Sequence, residues 1–162
     1  MIELSKNMKP LIKKKWGLSD IQMLGVKLGD SYEAIDRSYV SDGNRLDLDF
    51  EQLKKESELS LVDKLDGVIE HGGWIRIGSS CAYRVESKLV VQFSITNLKT
   101  LGIKKESQIV KYLGKPDEKN EFVRHGKPAE SEYYYEKNKF LLVWSNPFNK
   151  MLSVNIGERV LR

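Results

Sequence analysis

Two histidines, His71 and His125, and one cysteine, Cys81, are the only residues able to supply imidazole or thiolate chemistry. Neither histidine falls in an H-E-x-x-H spacing or beside a C-x-x-C pair, so the sequence offers no zinc site. A Cys-His nucleophile needs a thiolate close to an imidazole, and Cys81 could meet His71 across neighbouring strands, with Glu70 orienting the ring. The competing reading is a small buried thiol in a strand and a loop histidine beside Gly72 and Gly73. Gly78-Ser79-Ser80-Cys81 departs from the G-x-S-x-G nucleophile elbow. His71-Gly72-Gly73-Trp74 is too short to cradle a phosphate and leads into a strand, not a helix. The expectation is therefore a non-catalytic protein without metal or cofactor, the Cys81 and His71 pair being the one enzymatic alternative.

Binding chemistry is better supplied. Residues 42–70 hold nine acidic and four basic side chains, whereas residues 71–162 hold sixteen basic and nine acidic ones, so two faces of opposite sign are expected. Asp47, Glu51 and Glu58 are the candidate contacts of the acidic surface, suited to a basic toxin or to the basic active site of an enzyme. Asp47 and Asp49 also precede a predicted helix, where negative charge complements the exposed N–H groups. Trp74, Arg76, Tyr133 and Tyr134 are candidate anchors on a sheet, because aromatic residues and arginine carry most interface energy.

The alternative partner is nucleic acid. The sequence pI is about 9.0, and the basic half interleaves Tyr133, Tyr134, Tyr135, Phe140 and Trp144 with Lys137 and Lys139. Against this, Phe140, Leu142 and Trp144 share one face of a strand while Leu141 and Val143 occupy the other, the pattern of a strand buried on both sides. No ribonucleoprotein-type motif or helix-turn-helix accompanies the aromatics.

The elements that must position these residues follow from a chain of 162 residues, 40% apolar and 31% charged, enough to bury a core. No window reaches the roughly 18 apolar residues of a membrane helix, Lys13, Lys14 and Lys15 are followed by no apolar stretch or small-residue cleavage site, and one cysteine suits a reducing compartment. A cytoplasmic protein without membrane insertion is expected. Helices are predicted over 9–16, over 31–40 with Asp30 as cap, over 49–66 with Gly67 as stop, and over 105–113 with Gly114 as stop. Period-two runs predict strands at 74–77, 83–85, 89–95, 133–136, 140–145 and 151–156, with a hairpin at Glu86-Ser87-Lys88. Residues 117–130 read as a loop in which Phe122 and Val123 form a short edge strand.

Self-comparison finds a repeat. Leu24-Gly25-Val26-Lys27 parallels Leu101-Gly102-Ile103-Lys104, and the stretch from Tyr83 to Phe93 parallels that from Tyr133 to Trp144. The second copy continues through the Leu113-Gly114-Lys115-Pro116-Asp117 turn to Ser153-Val154-Asn155-Ile156-Gly157. On these residues it resembles the unit shared by the outer-membrane assembly lipoprotein family SmpA and the β-lactamase inhibitor protein family. The resemblance spans about residues 101–157, and 24–96 in the first copy. It implies a non-catalytic protein that presents a sheet face to another protein. The chain lacks both the lipoprotein cysteine and the paired cysteines of the secreted inhibitors, so no functional residue carries across. The expected fold is α+β: an N-terminal helical appendage over 1–20, a first unit over 21–98 with an insertion at about 41–80, and a second unit over 99–162, each of short helix plus antiparallel sheet. The expected function is an intracellular protein-binding module, an inhibitor or an immunity-type protein that neutralises a toxin.

Overall fold

The computed structural model describes residues 1–13, 15–41, 45–46, 61–96 and 101–158. Near the N-terminus, β1 (Ile2–Glu3) and β2 (Ile21–Gln22) form a small parallel pair around α1 (Pro10–Lys13). The main sheet begins with β3 (Arg45–Leu46), and α2 (Leu61–His71) leads into β4 (Gly73–Ile77). The β-branched and aromatic runs then form β5 (Cys81–Glu86) and β6 (Leu89–Ile95). After α3 (Ser107–Leu113) the chain closes with β7 (Glu118–Arg124), β8 (Lys127–Tyr135), β9 (Phe140–Ser145) and β10 (Lys150–Gly157).

Strands β3 to β10 make one eight-stranded sheet in the order β3-β4-β5-β6-β10-β9-β8-β7, antiparallel throughout. Two meanders thus meet back to back at β6 and β10. The pleat sends Ile75, Tyr83, Phe93, Ile156, Phe140 and Tyr135 toward one side, where Val68 of α2, Ile109 of α3 and Leu4, Met8 and Leu11 of the N-terminal segment complete the core. Fully buried side chains of this size contribute about 1.5–3 kcal/mol each.

The expected α+β balance is corrected by this arrangement: among the described residues the molecule is dominated by its sheet, with seven strands of five to nine residues against helices of four, eleven and seven. Two local causes account for the difference. The helix expected over 31–40 is replaced by two 3-10 turns, Tyr32–Ala34 and Arg37–Tyr39. There Asp36 accepts from the Ser38 amide at 2.9 Å and from the Ser38 hydroxyl at 2.7 Å, the side-chain competition that disfavours a continuous helix. Ser31, not Asp30, caps the first turn, and Asp30 instead accepts from the Lys27 amide at 2.9 Å. Second, the polar stretch expected as a loop over 117–130 is largely strand, because β7 is held by its pairing with β8 and buries none of its seven residues.

Other boundaries shift less. The helix expected at 9–16 spans only Pro10–Lys13. Gly67 does not stop α2, which runs on to His71, where Gly72 (φ +91°) donates its amide to the Val68 carbonyl at 2.8 Å. Most of the helix expected over 49–66 lies outside the described residues. The two repeated turns share their backbone: Gly25 and Gly102 have φ of +79° and +84°. Each is followed by a lysine whose amide meets a side-chain oxygen, Asp30 after Lys27 and Gln108 after Lys104.

Candidate interaction surface

The fold keeps Cys81 and His71 apart. Gly73 pairs with Val85 and Ile77 with Cys81, so Cys81 stands at the far end of the β4–β5 hairpin from Gly73, on the order of 13 Å along the strand, and His71 lies two residues before Gly73. Burial pushes the Cys81 thiol above its usual range and nearby Glu3 adds to this, against a lowering contact from Ser80, so the nucleophilic thiolate is disfavoured. Among the described residues no cluster of three or more His, Cys, Asp or Glu could hold a metal ion.

What the sheet does present is its second face. Cross-strand partners align Arg76, Ala82, Ser94, Asn155, Leu141, Tyr134 and Glu118 in one row from β4 to β7, with Trp74, Arg84 and Gln92 in the row beside it. Trp74 is half-buried and Arg76 exposed, so the fold brings these two anchors to one edge of this face. Tyr134 shares the row but is only 5% exposed, and Arg84, Gln92 and Glu132 are likewise buried. Tyr133 points the other way, into the core, donating its hydroxyl to Glu106. Burial, the hydrogen bond to Glu106 and that carboxylate's charge all raise its pKa. Asp47, Glu51 and Glu58 lie outside the described residues.

At the end of the sheet the geometry exposes apolar side chains that sequence reasoning missed. The last rung between β8 and β9 is Glu130 with Ser145, yet the β7–β8 hairpin continues through Val123–Pro128 and Arg124–Lys127. It therefore overhangs the sheet, closed by His125 and Gly126 with φ of +53° and +73°. Phe122 is 39% and Val123 63% exposed on the overhang, and Phe148 in the β9–β10 loop is 74% exposed. That loop is tied to the base of the hairpin, the Asn146 amide donating to the Ala129 carbonyl at 2.9 Å and its side chain to Ser131 at 3.1 Å. Arg124 and Lys127 are exposed at the tip of the overhang, and the exposed Lys150 places its ammonium 5.7 Å from the Phe148 ring. Glu130 offsets part of this charge through Arg124 at 3.8 Å. The signal in the sequence was a lone apolar residue inside turn composition, Phe148 after Asn146-Pro147 and Phe122-Val123 before Arg124-His125-Gly126. Apolar side chains in such places are not recruited by a core.

No protein-family model matches the chain, and neither does any curated protein or any solved structure. Among the described residues no helix is long and apolar enough to cross a membrane.

Proposed function

We propose that the chain is a protein-binding module working without catalysis, of the stoichiometric-inhibitor or immunity type, with the β7–β8 overhang and Phe148 as its anchor. The observation that carries this reading is the exposure of Phe122 and Val123 on the overhang and of Phe148 in the loop tied to its base, since exposed apolar groups rimmed by polar ones mark interaction surfaces. The surrounding cations suit an acidic counterpart at the point of contact. The expectation of a basic partner rested on Asp47, Glu51 and Glu58, whereas the charge at this anchor is of the opposite kind. Trp74 and Arg76 on the second face supply a further contact edge. The free, half-buried Cys81 agrees with action in the cytoplasm.

Phosphates could also meet these cations, with the two phenyl rings stacking on bases. Affinity capture from lysate of the source cells separates the readings when run with and without nuclease, on the wild-type chain and on Val123→Ser/Phe148→Ser. The expected result is one stoichiometric protein that survives nuclease and is lost with the double variant. Capture that disappears with nuclease and weakens steeply between about 50 and 200 mM salt would transfer the case to nucleic acid. Capture indifferent to the double variant would overturn the anchor.

A further inference from the structure

A second concavity lies away from the overhang, where α1, the end of α3 and the β8–β9 turn converge. It encloses about 230 Å³ and is lined by ten residues, of which the apolar ones include Leu11, Trp16, Leu113 and Phe140. Phe140 is its floor, 2% exposed, and two aromatic rings meet it edge-on: Trp16 at 6.2 Å and 69°, and Tyr135 at 6.1 Å and 65°. Three polar groups of these walls are already hydrogen-bonded within the protein. The Trp16 indole N–H donates to the Leu11 carbonyl at 3.1 Å, the Asn138 amide to the Trp16 carbonyl at 2.7 Å, and the Tyr135 hydroxyl to the Gly114 carbonyl at 2.9 Å. A rigid aromatic box results, offering ring surface and aliphatic groups to an occupant.

Its charge is one-sided. Lys15 and Lys137, both exposed, are the ionised side chains among the ten lining residues, the phenols being neutral, and among the described residues no carboxylate lines the cleft. The volume lies below the roughly 300–1,000 Å³ of drug-sized pockets, so the occupant is the size of one ring system. We propose that this cleft binds a small aromatic carboxylate, its ring on Phe140 between Trp16 and Tyr135 and its charge at the Lys15 and Lys137 ammonium groups. The site is independent of the overhang and of the protein-binding reading.

The test uses the full chain with indole-3-acetate and phenylacetate as probes, each against its neutral amide. The readout is the three tryptophan indole N–H resonances, that of Trp16 being identified by its loss in Trp16→Phe. A saturable shift of the Trp16 signal is expected, with the signals of Trp74 and Trp144 unmoved. The carboxylates should bind about tenfold more tightly than the amides, a preference that shrinks with salt. Because Lys15 and Lys137 are exposed, Lys15→Glu/Lys137→Glu keeps the fold, and it should abolish the preference while leaving amide binding in place. No saturable Trp16 shift up to about 10 mM probe would overturn the site. Equal affinity for acid and amide, or a preference that survives the double charge reversal, would overturn the ligand class.

Discussion

The two halves of the sheet solve one problem with different chemistry. Each opens with a Leu-Gly-Val/Ile-Lys turn and anchors a core-facing tyrosine to the segment near that turn. In the first half the Tyr83 hydroxyl donates to the Met23 carbonyl at 2.6 Å, inside the core. In the second the Tyr133 hydroxyl donates to the Glu106 carboxylate at the edge of a solvent-accessible hollow. The first half ties its tyrosine to its own backbone, while the second ties its tyrosine to a side chain and sends a hairpin past its neighbours. The two halves share an architecture but not the hydrogen bond that anchors its tyrosine.

The join between them is the most vulnerable point. Gly157 of β10 has φ +124°, and a Cβ there would run into the Val91 carbonyl oxygen and come within 2.9 Å of Gln92 Cα. Gly157→Ala combines a forbidden backbone geometry with a backbone clash, so a loss of at least about 3 kcal/mol is expected, read as the shift in denaturant midpoint. Full stability in this variant would mean that β6 and β10 can separate without cost, and the two halves would then be independent units.

The tyrosines test the difference directly. Tyr83→Phe removes one of two donors to the buried Met23 carbonyl, which keeps the Val26 amide at 3.1 Å, and should cost about 1.5 kcal/mol, whereas Tyr133→Phe leaves a carboxylate that water can reach and should cost about 0.5 kcal/mol. Equal losses would erase the distinction between the two anchors. Burial is the main cause holding both phenols above the ordinary tyrosine range, with acidic neighbours adding to it. A raised folded pKa adds stability that is complete below about pH 10 and is lost as pH rises above it, so each Tyr→Phe variant should flatten the alkaline limb of the stability curve.

Glu3 supplies the matching acid-side test. Burial opposes its ionisation, but donation from the Ser5 hydroxyl and from the amides of Leu24, Ser5 and Gly25 outweighs this and holds its carboxyl below 4.5. Its lowered folded pKa adds stability that is present at neutral pH and is lost as pH falls below about 4.5. Glu3→Gln is expected to cost about 1 kcal/mol at pH 7 and less at pH 3. A cost that did not shrink with acid would show that the first turn is held by shape rather than by charge.

Much of this frame could be read from residue pattern. Leu89 to Ile95 and Phe140 to Ser145 are strands because alternating apolar residues need one buried face, and the paired Leu-Gly turns mark the duplication. β7 was hidden for a physical reason: a strand that buries nothing has no hydrophobic period, and only its backbone pairing with β8 defines it. The orientation of Tyr133 and Tyr134 was equally hidden, since adjacent strand residues point to opposite faces and three tyrosines in a row do not say which one enters the core. For the same reason the overhang escaped notice, because it depends on how far β9 extends beside β8.

The smallest expected effect on stability belongs to that overhang, and it is the most telling one. Val123 and Phe148 are mostly in water, so replacing both with serine removes little buried area and should change stability by no more than about 0.5 kcal/mol. The same change removes the apolar anchors of the proposed interface, where truncating a central aromatic residue often costs 2 kcal/mol or more, about thirtyfold in affinity. A folded, stable Val123→Ser/Phe148→Ser protein that no longer holds its partner would place partner binding at the overhang of the second half. If the variant instead loses several kcal/mol of stability, these side chains serve the fold, and the contrast between the halves must be sought in Trp74 and Arg76 on the opposite edge.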